Sequence, residues 1–161
     1  MRASTYFAIA AAFASGAATM DSSAHHSFTM FDRTQHTLIV GTVKEWAFNS
    51  PHTWLYVEAP DKNGKMVVWG FEGAAPVGAV RMGVNGTTFA RGEAVRVVIS
   101  PIKDGRPAGG VCFVMKEKNG QIARFNDGSC AAEAALTRWM SNGWLEAGKH
   151  LDTHATERDV E

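Results

Sequence analysis

Three short runs of alternating residues, joined only by tight turns, limit what this chain can fold into more than any other feature. From Leu38 to Trp46, Leu38, Val40 and Thr42 fall on one face and Ile39, Gly41 and Val43 on the other. A period of two is the signature of a strand with one buried side. From Thr53 to Ala59, Trp54 and Tyr56 face one way and Leu55 and Val57 the other; from Met66 to Glu72, Val67, Trp69 and Phe71 share a face. The connections are Asn49-Ser50-Pro51 and Pro60-Asp61-Lys62-Asn63-Gly64. Both are turn chemistry, and loops this short force neighbouring strands to run antiparallel.

Beyond Glu72 the period changes. Pro76 to Gly83 places Val77, Val80 and Arg81 at near-helical spacing, with Pro at its start and Gly at its end, which predicts a short helix. Alternation resumes from Ala94 to Ser100, a tight turn follows at Asp104-Gly105, and Val111 to Met115 returns. Asn119-Gly120 suggests a last hairpin into Ile122 to Phe125. Three strands, a helix and two strands is the order of a small OB-like antiparallel barrel of five to six strands; an open sandwich of the same strands is the alternative. Ser129 is a plausible N-cap for a C-terminal helix carrying Ala131, Ala132, Ala134, Ala135, Leu136, Trp139 and Met140. Its apolar face is expected to pack on the barrel, or else to receive a partner around Trp139 and Trp144. The tail from His150 is polar and expected to fray.

The N-terminus has the pattern of an export signal. Arg2 precedes the apolar run Tyr6 to Ala14, which is too short to span a bilayer, and small residues follow. Cleavage after Ala18 or after Ala24 satisfies the small-x-small rule. The division expected is therefore a signal peptide over 1–24, an OB-like domain over 25–126, and a C-terminal helix with its tail over 127–161. No later segment is long and apolar enough to be a membrane span, so the product is expected in the periplasm or outside the cell. Lys+Arg and Asp+Glu both number 16 in the 161 residues. That balance argues against nucleic acid, which recruits a basic excess. Cys112 and Cys130, in an oxidising compartment, are expected to form a disulfide closing a loop of about 17 residues; two buried thiols are the alternative. Their spacing is not CxxC, so redox catalysis has no support.

Ala24-His25-His26-Ser27-Phe28, Met30-Phe31-Asp32, Gly41-Thr42-Val43, Pro51-His52-Thr53-Trp54, Trp69-Gly70-Phe71-Glu72, and the Pro101, Asp104-Gly105, Pro107 and Gly109-Gly110 series follow one another in a telling order. Together they resemble a family of small secreted bacterial proteins known as domain of unknown function 6152, over about residues 24 to 122. That family usually carries Asn immediately before the Pro-His pair, where this chain has Ser50. The Trp-bearing C-terminal helix extends beyond the usual family core. The resemblance implies a periplasmic β-domain and no established activity.

Two sets of residues could carry function. Trp54, Tyr56 and Trp69, with Trp46 near by and His52 beside them, come from adjacent strands, and OB-type barrels bind ligands over their second and third strands by stacking on such rings. A sugar, a small aromatic or a peptide would suit them; the bland alternative is that the rings plug the barrel. The other set is His25, His26 and His52. If cleavage leaves His25 first, its amine and imidazole chelate copper(II), and a second imidazole would complete the site. Were the segment before Leu38 to fold back on the first strand, however, His25 would lie roughly 15 Å of strand from His52. His36, His150 and His154 read as loop and tail residues. Glu45, Glu58 and Glu72 form no acid/base pair, and no catalytic triad, phosphate loop or HExxH occurs. A non-catalytic module recognising a small molecule or a periplasmic protein is the expectation, with a copper protein as its rival.

Overall fold

Six strands and one helix follow the alternation closely. In the computed structural model, which describes residues 28–130, 132–143, 145, 153–154 and 156–158, β1 is Gln35–Ala47, β2 Trp54–Pro60, β3 Met66–Glu72, β4 Ala94–Pro101, β5 Ala108–Lys116 and β6 Ile122–Ala123. Helix α1, Pro76–Arg81, begins on its proline and stops where Gly83 takes φ 82°, a left-handed value that costs glycine nothing. The expected leader over 1–24, together with His25, His26, Trp144 and His150, lies outside the described residues.

Hydrogen-bonded neighbours run β2–β3–β5–β4–β1, and β1 pairs back onto β2, so the order returns to its start as a ring. The pairings are antiparallel except β3 with β5, which is parallel through Gly70–Ala108 to Glu72–Gly110. β1 makes closure possible by serving two neighbours in turn. Its first half, Thr37 to Thr42, pairs with β4, and its second half, Thr42 to Ala47, pairs with β2. At the changeover sits Gly41, where a Cβ would stand 2.3 Å from the Glu58 carbonyl oxygen and 2.7 Å from Val57 Cγ1. Only a residue without a side chain lets the two backbones approach this closely.

The alternation fills two cores. Ile39, Val43, Leu55, Val57, Trp69, Phe71, Val95, Val97, Ile99 and Val111 point into the ring. Trp46 seals one end of it, packed edge-on against Phe89 and Phe125 at 5.1 Å each. Outside, Leu38, Val98, Phe113 and Met115 form a second cluster under α2, Ala132–Ser141, whose Ala135, Leu136 and Trp139 cover them. Trp139 is fully buried there and is not displayed to a partner. Cys112 and Cys130 are joined, Cα atoms 5.3 Å apart, tying β5 to the start of this helix. His36, read from sequence as a loop residue, lies buried in β1 with its Nδ1 3.3 Å from Arg138 Nη2 of α2.

Both ends of the chain depart from expectation. The tail does not simply fray: Thr156–Arg158 forms β7 against Gln35 to Thr37, and the His154 N–H donates to the Leu38 carbonyl at 2.6 Å. The cause is the changeover in β1, which leaves the edge of its first half unpaired by β2 and open to another segment. Nor do the described residues 28–34, ahead of β1, fold back upon it. Phe31 bridges Ile102, the Asp32 N–H donates to the Pro101 carbonyl at 2.8 Å, and the Lys103 N–H donates to Met30 at 2.9 Å. Asp32 then turns the chain, its Oδ1 accepting from the N–H and hydroxyl of Thr34.

Candidate binding surface on strands β2 and β3

Register decides which side chains meet. β2 and β3 pair Trp54 with Glu72, Leu55 with Phe71, Tyr56 with Gly70 and Val57 with Trp69. Cross-strand partners point to the same side of a sheet. Trp54, Tyr56, Gly70 and Glu72 therefore share the outer face, while Leu55, Val57, Trp69 and Phe71 share the inner one. The four aromatic and histidine positions picked out from sequence thus divide. His52, Trp54 and Tyr56 stand together outside, and Trp69 is turned into the ring, 7% exposed.

The Trp54 and Tyr56 rings lie nearly parallel, centroids 6.2 Å apart with 15° between their planes. Gly70 explains how two rings fit side by side on a two-stranded face. The nearest atoms to a Cβ built there are Tyr56 Cε1 at 3.4 Å and Trp54 Cζ3 at 3.6 Å, so the rings lean over the space that its missing side chain leaves. Both rings remain only half-buried.

His52 stands just before β2, after the cis Ser50–Pro51 bond. Thr53, wholly buried, anchors it: its N–H and hydroxyl both donate to the Ala74 carbonyl, at 3.1 and 2.9 Å, and its own carbonyl accepts from Gly73 at 2.9 Å. Held so, His52 Nδ1 lies 3.1 Å from the Gly73 carbonyl oxygen. A carbonyl only accepts, which places the proton on Nδ1. The same nitrogen is 3.4 Å from Glu72 Oε1 and 3.7 Å from Asp127 Oδ2. Glu72 is 3% exposed, and a carboxylate buried that deeply requires such neighbours. Asp127 is oriented by the Ser129 N–H, which donates to its Oδ1 at 3.0 Å.

Of this group sequence reading identified only His52. Glu72 was visible as a strand carboxylate with no partner in its own segment, and Asp127 sits in a loop with no signal beyond its turn-forming neighbours. One imidazole nitrogen and two carboxylate oxygens, all within 4.8 Å of one another, could hold a divalent cation. Coordination through Nδ1 would require the ring to release Gly73. His25 and His26, the other proposed metal ligands, lie outside the described residues. Phe28, close after them in sequence, sits beside Met30 and Lys103 at the far end of β1 from His52. His36 also approaches Cys112 and Cys130, but both sulfurs are committed to the disulfide and offer no thiolate.

Among the described residues no helix is long and apolar enough to cross a membrane. No curated protein and no solved structure matches the chain. A family of unknown function does match, over residues 12–111, which takes in the whole of β1 to β4 and the start of β5, hence the entire aromatic face. The match covers more than half of the 161 residues, and the chain belongs to that family, DUF6152.

Proposed function

We propose that this chain is an exported, non-catalytic binding module whose recognition surface is the outer face of β2 and β3. The observation that carries the reading is the Trp54–Tyr56 pair, parallel, half-exposed and held over Gly70. Leaving two large rings in water forgoes about 25 cal/mol for each Å² that burial would remove. A pair kept flat and accessible instead offers a stacking platform, and His52 supplies a polar group at its end. Such a surface suits the face of a sugar ring, a small planar aromatic or an aromatic-bearing peptide. Export is supported by the apolar run Tyr6 to Ala14 and by the Cys112–Cys130 bond, which fits a compartment that oxidises thiols.

Tryptophan fluorescence titration against oligosaccharides, planar aromatics and short peptides tests the proposal. Saturable quenching by one class is expected, weakened about tenfold or more in Trp54→Ala and Tyr56→Ala. Silence across the panel, or quenching unaffected by both substitutions, refutes it.

A second reading retains a metal. The His52, Glu72 and Asp127 donors favour a divalent cation, copper(II) included, because Glu72 is a buried carboxylate beside a second one. Calorimetric titration with Cu²⁺ and Zn²⁺ should then show one site that His52→Ala abolishes. Binding that survives His52→Ala rejects this site.

A further inference from the structure

Charge is unevenly placed around the Trp54–Tyr56 pair, although the whole chain carries 16 residues of each sign. The second half of β1 runs beside β2 and pairs Thr42 with Glu58, Glu45 with Tyr56 and Ala47 with Trp54. Directly opposite residues of an antiparallel pair point to one side, their Cβ atoms about 4.5–5.5 Å apart. Glu45 therefore flanks Tyr56 on the outer face, as Glu72 flanks Trp54 from β3. Glu58, two residues beyond Tyr56 in β2, lies on the same side. The irregularity between Val43 and Glu45 brings Lys44 to this side as well, its Nζ 3.3 Å from Glu58 Oε1. Three carboxylates, Glu45, Glu58 and Glu72, thus stand against the one ammonium of Lys44 on the outer positions of these paired segments.

Two of these carboxylates are open to water. Glu45 is exposed, and its carboxylate has no partner among the described residues. The Glu58 side chain stays 52% exposed beside Lys44. Glu72 is buried against His52 and acts on the face through its charge alone. Past Gly70 the same face continues as apolar surface, with Val68 opposite Glu58 and Met66 opposite Pro60, both exposed. The face of an aromatic ring carries the negative side of its quadrupole and attracts cations. The rings and the carboxylates beside them therefore favour one sign of charge: a cation is drawn to this face and an anion repelled.

We propose that the occupant of this face is the guanidinium of an arginine side chain, carried by a peptide segment of a partner protein. The inference rests on the reading that the outer face of β2 and β3 recognises a ligand, and it narrows that ligand by charge. Guanidinium is planar and weakly hydrated, stacks on aromatic rings, and pairs its forked N–H donors with a carboxylate. Rings only 15° from parallel suit a flat cation better than a tetrahedral ammonium. Glu45, Tyr56 and Val68 follow one another across β1, β2 and β3, which gives the side chain its direction. The guanidinium lies against Tyr56 and Trp54 with its donors toward Glu45, and its methylene stem crosses Val68.

The test uses the full chain with its disulfide intact, ¹⁵N-labelled, and titrated with an acetylated, amidated glycine–arginine–glycine peptide. Matched peptides carry citrulline, which keeps the planar shape without the charge, or lysine, which keeps the charge without the plane. The Trp54 indole N–H resonance, assigned by its loss in Trp54→Phe, is expected to shift saturably with the arginine peptide. Citrulline should weaken binding about fivefold or more and lysine about twofold or more. Glu45→Gln, at an exposed position that leaves the core intact, should weaken the arginine peptide about two- to fivefold, and added salt should weaken it further. Lys44→Gln should instead strengthen it about twofold, since it removes a like charge and frees Glu58. Equal affinity for the citrulline or lysine peptide, or full-strength binding in Glu45→Gln, overturns the assignment of arginine. A Trp54 resonance that ignores all three peptides yet moves with a sugar or a neutral aromatic overturns it too and leaves the binding surface standing. One that ignores every probe removes both.

Discussion

Gly41→Ala is the substitution that most directly probes how the ring closes. A Cβ at this position would meet the Glu58 carbonyl oxygen at 2.3 Å, Val57 Cγ1 at 2.7 Å and Ala59 Cβ at 2.8 Å. Ordinary van der Waals contact begins near 3.4 Å, so relief requires about 1 Å of movement between β1 and β2. Two of the three obstructing atoms cannot swing aside, because one is backbone and another is the Cβ of a buried alanine. Overpacking of this kind costs about 1–3 kcal/mol, and a rigid obstruction belongs at the upper end. Against it, losing a glycine from the unfolded chain returns only about 0.4–1 kcal/mol. The net expectation is a loss of about 2 kcal/mol, or about 4–8 °C in Tm for a domain of this size. Gly70→Ala is the matched control. It also lies in a strand beside β2, yet its nearest contact would be Tyr56 Cε1 at 3.4 Å, so its stability should stay within about 0.5 kcal/mol of the parent. Urea unfolding and thermal circular dichroism of both variants provide the measurement. If Gly41→Ala proves as stable as Gly70→Ala, the close approach of β1 to β2 is not what the glycine serves.

Gly73→Ala should be at least as damaging as Gly41→Ala, since its Cβ would lie 2.4 Å from Phe125 Cδ2 and 2.8 Å from the Phe125 carbonyl; differential scanning calorimetry would show it. Reducing Cys112–Cys130, which spans a sequence separation of 18, should cost about 3 kcal/mol on the loop-closure estimate, read as a lower urea midpoint in the presence of reductant. The Asn63 and Lys65 backbone N–H groups donating to Asp61 hold its carboxyl below the ordinary value, as does the nearby Lys65 charge. A depressed carboxylate contributes its stabilisation above the unfolded value of about 3.9 and loses it as pH falls through the lower folded value. The β2–β3 turn should therefore loosen only below about pH 4, with Asp61→Ala removing that step from the NMR titration of the Lys65 amide. Trp54→Ala and Tyr56→Ala, on the half-exposed outer face, should leave Tm within about 1–2 °C of the parent while weakening ligand binding about tenfold or more.

Much of the fold could be read from local pattern, because a strand's inward and outward faces repeat every two residues whatever it pairs with. Met66 to Glu72 coincides with β3, and the Pro76 start of α1 follows from its proline. With two cysteines in the chain, the pairing of Cys112 with Cys130 had a single solution. Local pattern could not say which face of β3 is the inside. Val67, Trp69 and Phe71 share a side in any register, but only the pairing of Trp69 with Val57 sends that side into the ring, away from Trp54 and Tyr56. The His52 group was equally hidden, since Glu72 and Asp127 reach it from the far end of another strand and from a distant loop. β7, Thr156–Arg158, is too short to show a period and exists because β1 changes neighbours at Thr42, leaving an edge to be filled. Periodicity is a property of consecutive residues; ring closure, register and the meeting of His154 with Trp69 are properties of segments far apart along the chain. The sequence by itself settled β1 to β5 and their two alternating faces, and tertiary pairing alone decided which of those faces water, or a ligand, can reach.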